Sequence, residues 1–343
     1  MDTPIFEKKN VLVTGGAGFL GSHLCEFLLR DSKVICLDNF SNSDPGAISH
    51  LLQYPDFEFI NFDVNKPIDL DQFDELDKFK VKFQGIQEIY HLACPMSHKN
   101  FEKMRLQALL ANSSAMINTL DLAVKYHAKY LLTSSAVVFG DDQGTGRRYK
   151  ENDFGQVNQF SPRACYDEGK RFAETCVETY RQVYGIDGKI ARVFTTYGPN
   201  MRLFDQQLIP DFIMNAIQGK DLVIYGDKNF STSLCYVSDM INGLVRLMET
   251  GPEIKLVNLG GEDPVRYADV AEKILKLTNS SSRLTFENPL LFLTKKGLPD
   301  ISYAKDKLEW LPLVTLDDGL RKIVDYVIAR KESLLFGSYG VTQ

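Results

Sequence analysis

Short apolar runs alternate with amphipathic stretches through the first half of the chain. Val11-Leu12-Val13, Lys33-Val34-Ile35-Cys36-Leu37 and the segments 57–60, 86–92, 130–133 and 189–194 read as strands. Helical stretches fall between them, the first carrying Leu24-Cys25-Glu26-Phe27-Leu28-Leu29. Strand and helix in alternation predict an α/β fold with a Rossmann-type doubly wound parallel sheet. After Tyr197-Gly198-Pro199 the elements shorten, with helices expected over 209–218, 237–248 and 267–277. This part is expected to form a smaller α/β substrate-binding lobe. Leu256-Val257-Asn258-Leu259-Gly260 again reads as a buried strand, so the chain is expected to cross back. The expected division is 1–198, with a return segment near 234–262, for the sheet domain, and 199–343 mainly for the second lobe.

The first strand runs into a glycine loop, Val11-Leu-Val-Thr-Gly-Gly-Ala-Gly-Phe-Leu-Gly21, and then into a helix. Gly15, Gly18 and Gly21 let backbone approach a pyrophosphate, with Phe19 and Leu20 between them. The spacing is G-x-x-G-x-x-G rather than G-x-G-x-x-G. The second strand ends in Asp38-Asn39. A carboxylate at that distance is placed to accept from an adenosine ribose and to repel a 2′-phosphate, which favours NAD over NADP. Asp63-Val64 reads as the adenine edge, with a helix or turn cap as the other reading of Asp63. His91-Leu92-Ala93 is expected under the cofactor.

Tyr166 and Lys170 stand four residues apart in Ser-Pro-Arg-Ala-Cys-Tyr-Asp-Glu-Gly-Lys-Arg, 161–171. On a helix they share one face. The ammonium is then expected to favour phenolate and let Tyr166 take a hydroxyl proton while carbon gives up hydride.

Composition bounds these readings. The 343 residues are 44% hydrophobic, enough for one large or two joined domains. A net charge of −6 argues against nucleic-acid or anionic-membrane partners. The six cysteines lack a C-x-x-C, and the five histidines show no H-E-x-x-H, so neither disulfides nor a metal is expected. No apolar stretch suggests a signal or membrane span, and a soluble cytoplasmic protein is the expectation. The polar stretch 141–152, with Arg147-Arg148, reads as a loop near the site.

The chain resembles extended short-chain dehydrogenase/reductases acting on nucleotide sugars, and from end to end it is similar to UDP-glucuronate decarboxylases. The phrases are T-G-G-A-G-F-L-G-S-H-L (14–24), L-D-N-F (37–40), H-L-A-C-P (91–95), the 161–171 phrase, A-R-V-F-T-T-Y-G-P (191–199) and Y-V-S-D (236–239). The resemblance implies that Tyr166 is the base, that Lys170 holds the nicotinamide ribose and tunes Tyr166, and that Ser135 orients the sugar hydroxyl. It also implies a nucleotide-sugar substrate near Pro95, Arg163, Thr195, Tyr225 and Thr232. Arg163 has a helix-start salt bridge as its other reading, and Tyr225 ordinary packing. A homodimer through helices 101–126 and 162–184 is implied as well, though their apolar positions fit a core equally.

Departures from the family pattern are specific. The family Ser-Thr-Ser-Glu-Val-Tyr-Gly is here Ser134-Ser135-Ala136-Val137-Val138-Phe139-Gly140, so the glutamate is a valine that cannot move a proton. The family asparagine is Thr195, and two family arginines are Thr232 and Gly297, losing bidentate phosphate donors. Oxidation and return of hydride at C4 need only Tyr166, Lys170, Ser135 and NAD, and S-S-A-V-V-F-G is similar to the loop of UDP-galactose 4-epimerases. The expected activity is therefore C4 epimerisation or 4-dehydrogenation. One alternative is decarboxylation of UDP-glucuronate, with Arg147, Arg148, Arg163 or Arg202 as substitute donors. The alternative of another class is a non-catalytic NAD- or nucleotide-sugar-binding protein.

Overall fold

A computed structural model describes residues 8–330 except 98, 143–144, 204, 206, 227–228 and 290–295. Seven strands form one parallel sheet in the order Leu256–Leu259, Gly188–Val193, Lys129–Ser135, Glu88–His91, Lys9–Thr14, Ser32–Asp38, Phe57–Asn61. Both faces are buried, and the strand period of two sorts residues between them. Val11, Val13, Val34, Cys36 and Leu131 enter one core, while Leu12, Ile35, Leu37, Tyr130 and Leu132 enter the other. The strand order reverses between Lys9–Thr14 and Glu88–His91, where Thr14 pairs with His91. Such a switch point opens a crevice at the carboxyl ends of the strands.

The segment expected as one helix over 101–126 is two, Phe101–Ala111 and Ser114–Tyr126. Polar side chains end the first helix. Asn112 Nδ2 donates to the Ala108 carbonyl at 2.7 Å and Ser113 Oγ to the Leu109 carbonyl at 2.9 Å, competing with the backbone ladder. The other long helix, Ala164–Tyr184, is continuous. Met116, Leu120 and Val177 belong to the core, whereas Leu106, Leu109, Leu110, Phe172 and Val183 are exposed.

Beyond the sheet, helices Leu208–Ile217 and Tyr267–Leu277 pack beside a parallel pair, Leu222–Tyr225 with Leu284–Glu287. Asp239, from the Y-V-S-D phrase, is architectural: its Oδ2 accepts from the Leu313 and Val314 amides at 3.0 and 2.8 Å. Its backbone carbonyl accepts from the buried Trp310 indole at 2.9 Å. The stretch expected as loop over 141–152 contains a short strand, Arg148–Tyr149, paired in parallel with Leu298–Pro299. No described helix is long and apolar enough to cross a membrane.

Candidate active site

A cavity of about 550 Å³ opens along the carboxyl ends of the strands. The glycine turn forms one wall. Gly15 has φ +71°, and a Cβ there would lie 2.7 Å from the Ala93 amide nitrogen. A Cβ on Gly21 would overlap the Gly15 carbonyl oxygen. These contacts make a backbone cradle with room for no side chain. The helix Phe19–Leu28 starts there without a side-chain cap or an acidic residue in its first turn. Its first amides therefore face the cavity at the positive end of the helix, as a diphosphate needs.

Asp38 is fixed in place: Oδ2 accepts from the Ala17 amide at 3.1 Å, and Oδ1 from the Phe40 amide at 2.8 Å and Ser43 Oγ at 2.7 Å. A carboxylate has about four acceptor directions. One is left for a ribose hydroxyl, in a position where a phosphate would be repelled. Asn39, Asp63, Val64, Leu92 and Ala93 line the same cavity, as do Gly18, Phe19 and Leu20. Asp63 also closes a turn, its Oδ1 accepting from the Asn65 amide at 3.0 Å. The residues present thus fit an adenine dinucleotide. His91 lies behind them, fully enclosed, and desolvation lowers its pKa to about 3. Its Nδ1 and Thr14 Oγ1 share a hydrogen bond at 2.8 Å.

Ser135, Tyr166 and Lys170 line the same cavity. Ser135 ends a sheet strand, and the other two lie one turn apart on the Ala164–Tyr184 helix. The Ser135 hydroxyl lies close enough to the phenol to favour its charged form. Lys170 Nζ donates to the Thr133 carbonyl at 3.0 Å and stands 5.9 Å from the centre of the Tyr166 ring. The expected lowering of the phenol by Lys170 does not appear. Enclosure pushes the Tyr166 pKa up, the Cys94 thiol adds to this, and Arg163 with the Ser135 hydroxyl only partly offsets it. The desolvation of the ring outweighs its cations.

Pro95, Arg163, Thr195, Tyr225 and Thr232 line the remainder. Thr195 and Thr232 hydroxyls bond each other at 3.2 Å. Arg163 does form the helix-start ion pair, its Nε and Nη2 each 3.3 Å from Asp167 Oδ1, yet it still borders the cavity. Arg202 lines it too and bonds Asn42. Arg147 and Arg148 do not line it: Arg147 pairs with Asp153 at 2.8 Å, and Arg148 donates to the Pro299 carbonyl at 3.4 Å. Val137 is fully buried and absent from the cavity wall. Sequence reasoning missed Lys296, which lines the cavity beside Arg163 and Asp167. It lies far along the chain from the catalytic phrase, and only the neighbouring Gly297 was marked as a departure.

A supporting network lies behind Ser135. Ser134 Oγ donates to Glu174 Oε1 at 2.6 Å, and Arg192 grips both oxygens of Glu174 at 2.9 and 2.7 Å. Two sheet strands and the helix bearing Tyr166 are thereby tied together.

Residues 11–260 match the model of the NAD dependent epimerase/dehydratase family, and the chain belongs to that family. It is an NAD-dependent enzyme of the extended short-chain dehydrogenase/reductase type. It is 36% identical over 327 residues to UDP-glucuronic acid decarboxylase 1 of Xenopus tropicalis, covering 95% of this chain and 73% of the relative. It is likewise 36% identical to UDP-glucuronic acid decarboxylase 6 of Arabidopsis thaliana, covering 90% of this chain and 86% of that one. Among solved structures it is similar to UDP-glucuronic acid 4-epimerase from Bacillus cereus, in complex with UDP-glucuronic acid and NAD. That likeness has a TM-score of 0.80 at 28% identity and covers 93% of this chain and 99% of the other.

Proposed function

We propose that the protein oxidises a nucleotide sugar at C4 by hydride transfer, acting as a 4-epimerase or a 4-dehydrogenase. The observation that carries this reading is the meeting of the Tyr166 phenol, the Ser135 hydroxyl and Lys170 in one cavity with the glycine cradle, while Val137 stands outside it. NAD, when bound, supplies the hydride acceptor. Tyr166, in its phenolate form, would take the C4 hydroxyl proton, and Ser135 beside it would orient that hydroxyl. Lys170, anchored on the Thr133 carbonyl, would hold the nicotinamide ribose. Return of hydride to the opposite face of C4, with the proton given back to the C4 oxygen by Tyr166, would complete epimerisation; release of the 4-ketone, with the hydride kept on the cofactor and the proton lost to solvent, would be dehydrogenation.

A second reading, decarboxylation of UDP-glucuronate, is supported by the names of the relatives at 36% identity. Oxidation at C4 of a glucuronic acid makes a β-keto acid, whose ketone can accept the electrons left by departing carbon dioxide. No carboxyl side chain stands at position 137 to assist. The chain is also proposed to form a homodimer through the exposed apolar positions Leu106, Leu109, Leu110 and Phe172.

Incubation with NAD and a panel of UDP-, GDP-, CDP- and dTDP-sugars tests the reading by product mass. A new isomer of unchanged mass, or loss of two hydrogens, is expected. Loss of carbon dioxide supports the second reading, and absence of any turnover contradicts both.

A further inference from the structure

Tyr166, Lys170 and Glu174 follow one another at intervals of four on the helix Ala164–Tyr184, so their side chains form one stripe. That stripe meets the end of the strand Lys129–Ser135 residue by residue. Lys170 Nζ donates to the Thr133 carbonyl at 3.0 Å, Ser134 Oγ donates to Glu174 Oε1 at 2.6 Å, and the Ser135 hydroxyl stands beside the Tyr166 phenol. Tyr166 and Lys170 belong to the cavity wall, whereas Glu174 does not. Its carboxylate occupies a place in the stripe that the chemistry proposed above leaves unused.

Glu174 is itself held rigidly. Arg192, paired with Ser134 across the sheet, takes both carboxylate oxygens in a fork, Nε at 2.9 Å and Nη2 at 2.7 Å. Its Nη1 donates to the Glu151 carbonyl at 2.9 Å, and the guanidinium lies 4.8 Å from the centre of the Phe139 ring. Phe139 closes the short turn Ala136–Phe139, which follows Ser135 directly. The network thus grips the chain on both sides of Ser135, at Ser134 before it and at Phe139 after it. Between these grips Ser135 Oγ accepts from the Val137 amide at 3.4 Å. A hydroxyl has one proton to give, and this arrangement leaves it for the phenol or a substrate oxygen.

We propose that Glu174 is a positioning residue for the proton transfer: through Ser134 and Arg192 it fixes the Ser135 hydroxyl against the Tyr166 phenol. The inference rests on the C4 oxidation reading above, in which those two groups handle the sugar hydroxyl, and adds a residue to it. A Ser135 hydroxyl free to turn away would cease to favour the phenolate. It would also leave the sugar hydroxyl outside the hydrogen-bond reach that proton transfer needs.

Carbon-13 NMR of the NAD-loaded protein, labelled at the tyrosine ζ carbons, tests this, with the Tyr166 resonance assigned by its loss in Tyr166→Phe. That resonance moves downfield as the phenol ionises. The other groups acting on the ring, Cys94, Arg163, Asp167 and Lys170, are unaltered in the variants compared, Ser135→Ala, Ser134→Ala and Glu174→Gln. All three are expected to move the onset of ionisation up by at least about half a pH unit. Ser134→Ala combined with Ser135→Ala is expected to move it no further than Ser135→Ala alone. Ser134→Ala leaves the Glu174–Arg192 pair whole, so it carries the test if Glu174→Gln does not fold. A Tyr166 resonance in Ser134→Ala that matches the wild type at every pH, with only the melting temperature lowered, would make Glu174 a purely structural tie and overturn the inference. So would a double variant whose shift is the sum of the two single ones. The spectra are recorded without a sugar, so the inference can fall while turnover on the sugar panel upholds the C4 reading. Absence of turnover across that panel removes the C4 reading, while the spectra still decide whether Glu174 governs the phenol.

Discussion

Gly21 shows how a single position limits what the site can hold. Its missing side chain leaves space for the Gly15 carbonyl, and the helix start depends on that contact. Gly21→Ala would force the turn apart, an overpacking cost of about 1–3 kcal/mol. The expected result is at least about a tenfold loss of NAD affinity with a lowered melting temperature. Wild-type NAD affinity by fluorescence titration would contradict the cradle. Glycines of this kind are legible in a sequence because they answer a local backbone demand. The state of Tyr166 is not, because it depends on how many groups from other segments enclose the ring. Spacing alone promised a lowered phenol, and enclosure reversed it. Lys296 was hidden for a related reason: a cation becomes part of a site only when a distant segment is pinned there, here by Tyr149 and Arg147.

At the scale of elements, the strands of the parallel sheet were readable from their apolar runs. The break between Phe101–Ala111 and Ser114–Tyr126 was not, since the residues around it keep a helical pattern. What ends the helix is the side-chain chemistry of Asn112 and Ser113. Asn112 also packs against Gly169, where an added Cβ would come 3.0 Å from Asn112 Nδ2, between Tyr166 and Lys170 on the facing helix. Glu174 is the other tie on that helix. Glu174→Ala would leave Arg192 without its carboxylate in a nearly buried position. A loss of about 3 kcal/mol in urea unfolding is expected. A loss no larger than that of an exposed pair, below about 1 kcal/mol, would contradict the role assigned to the network.

The whole molecule carries an acid sensitivity set by His91. Its folded pKa is depressed from 6.5 to about 3, so the unfolded chain takes up the proton first. Its contribution to stability is complete above about pH 6.5 and is lost as pH falls towards 3, by up to about tenfold per unit in the folding equilibrium. Urea midpoints between pH 7 and 5 are expected to fall more steeply for wild type than for His91→Gln; parallel slopes would contradict this. The exposed apolar positions on the two helical segments bear on assembly. Sedimentation is expected to show a dimer that Leu106→Glu combined with Phe172→Glu converts to monomer, and a wild-type monomer would contradict the proposed interface. The central claim is that hydride leaves C4 of a nucleotide sugar without loss of carbon dioxide. Its most direct test is carbon-13 NMR of UDP-glucuronate labelled at C4 and C6, incubated with the enzyme and NAD. If this sugar is turned over, the account predicts a new C4 resonance, from an isomer or a ketone, with the C6 carboxylate retained; C6 label appearing as bicarbonate would contradict it.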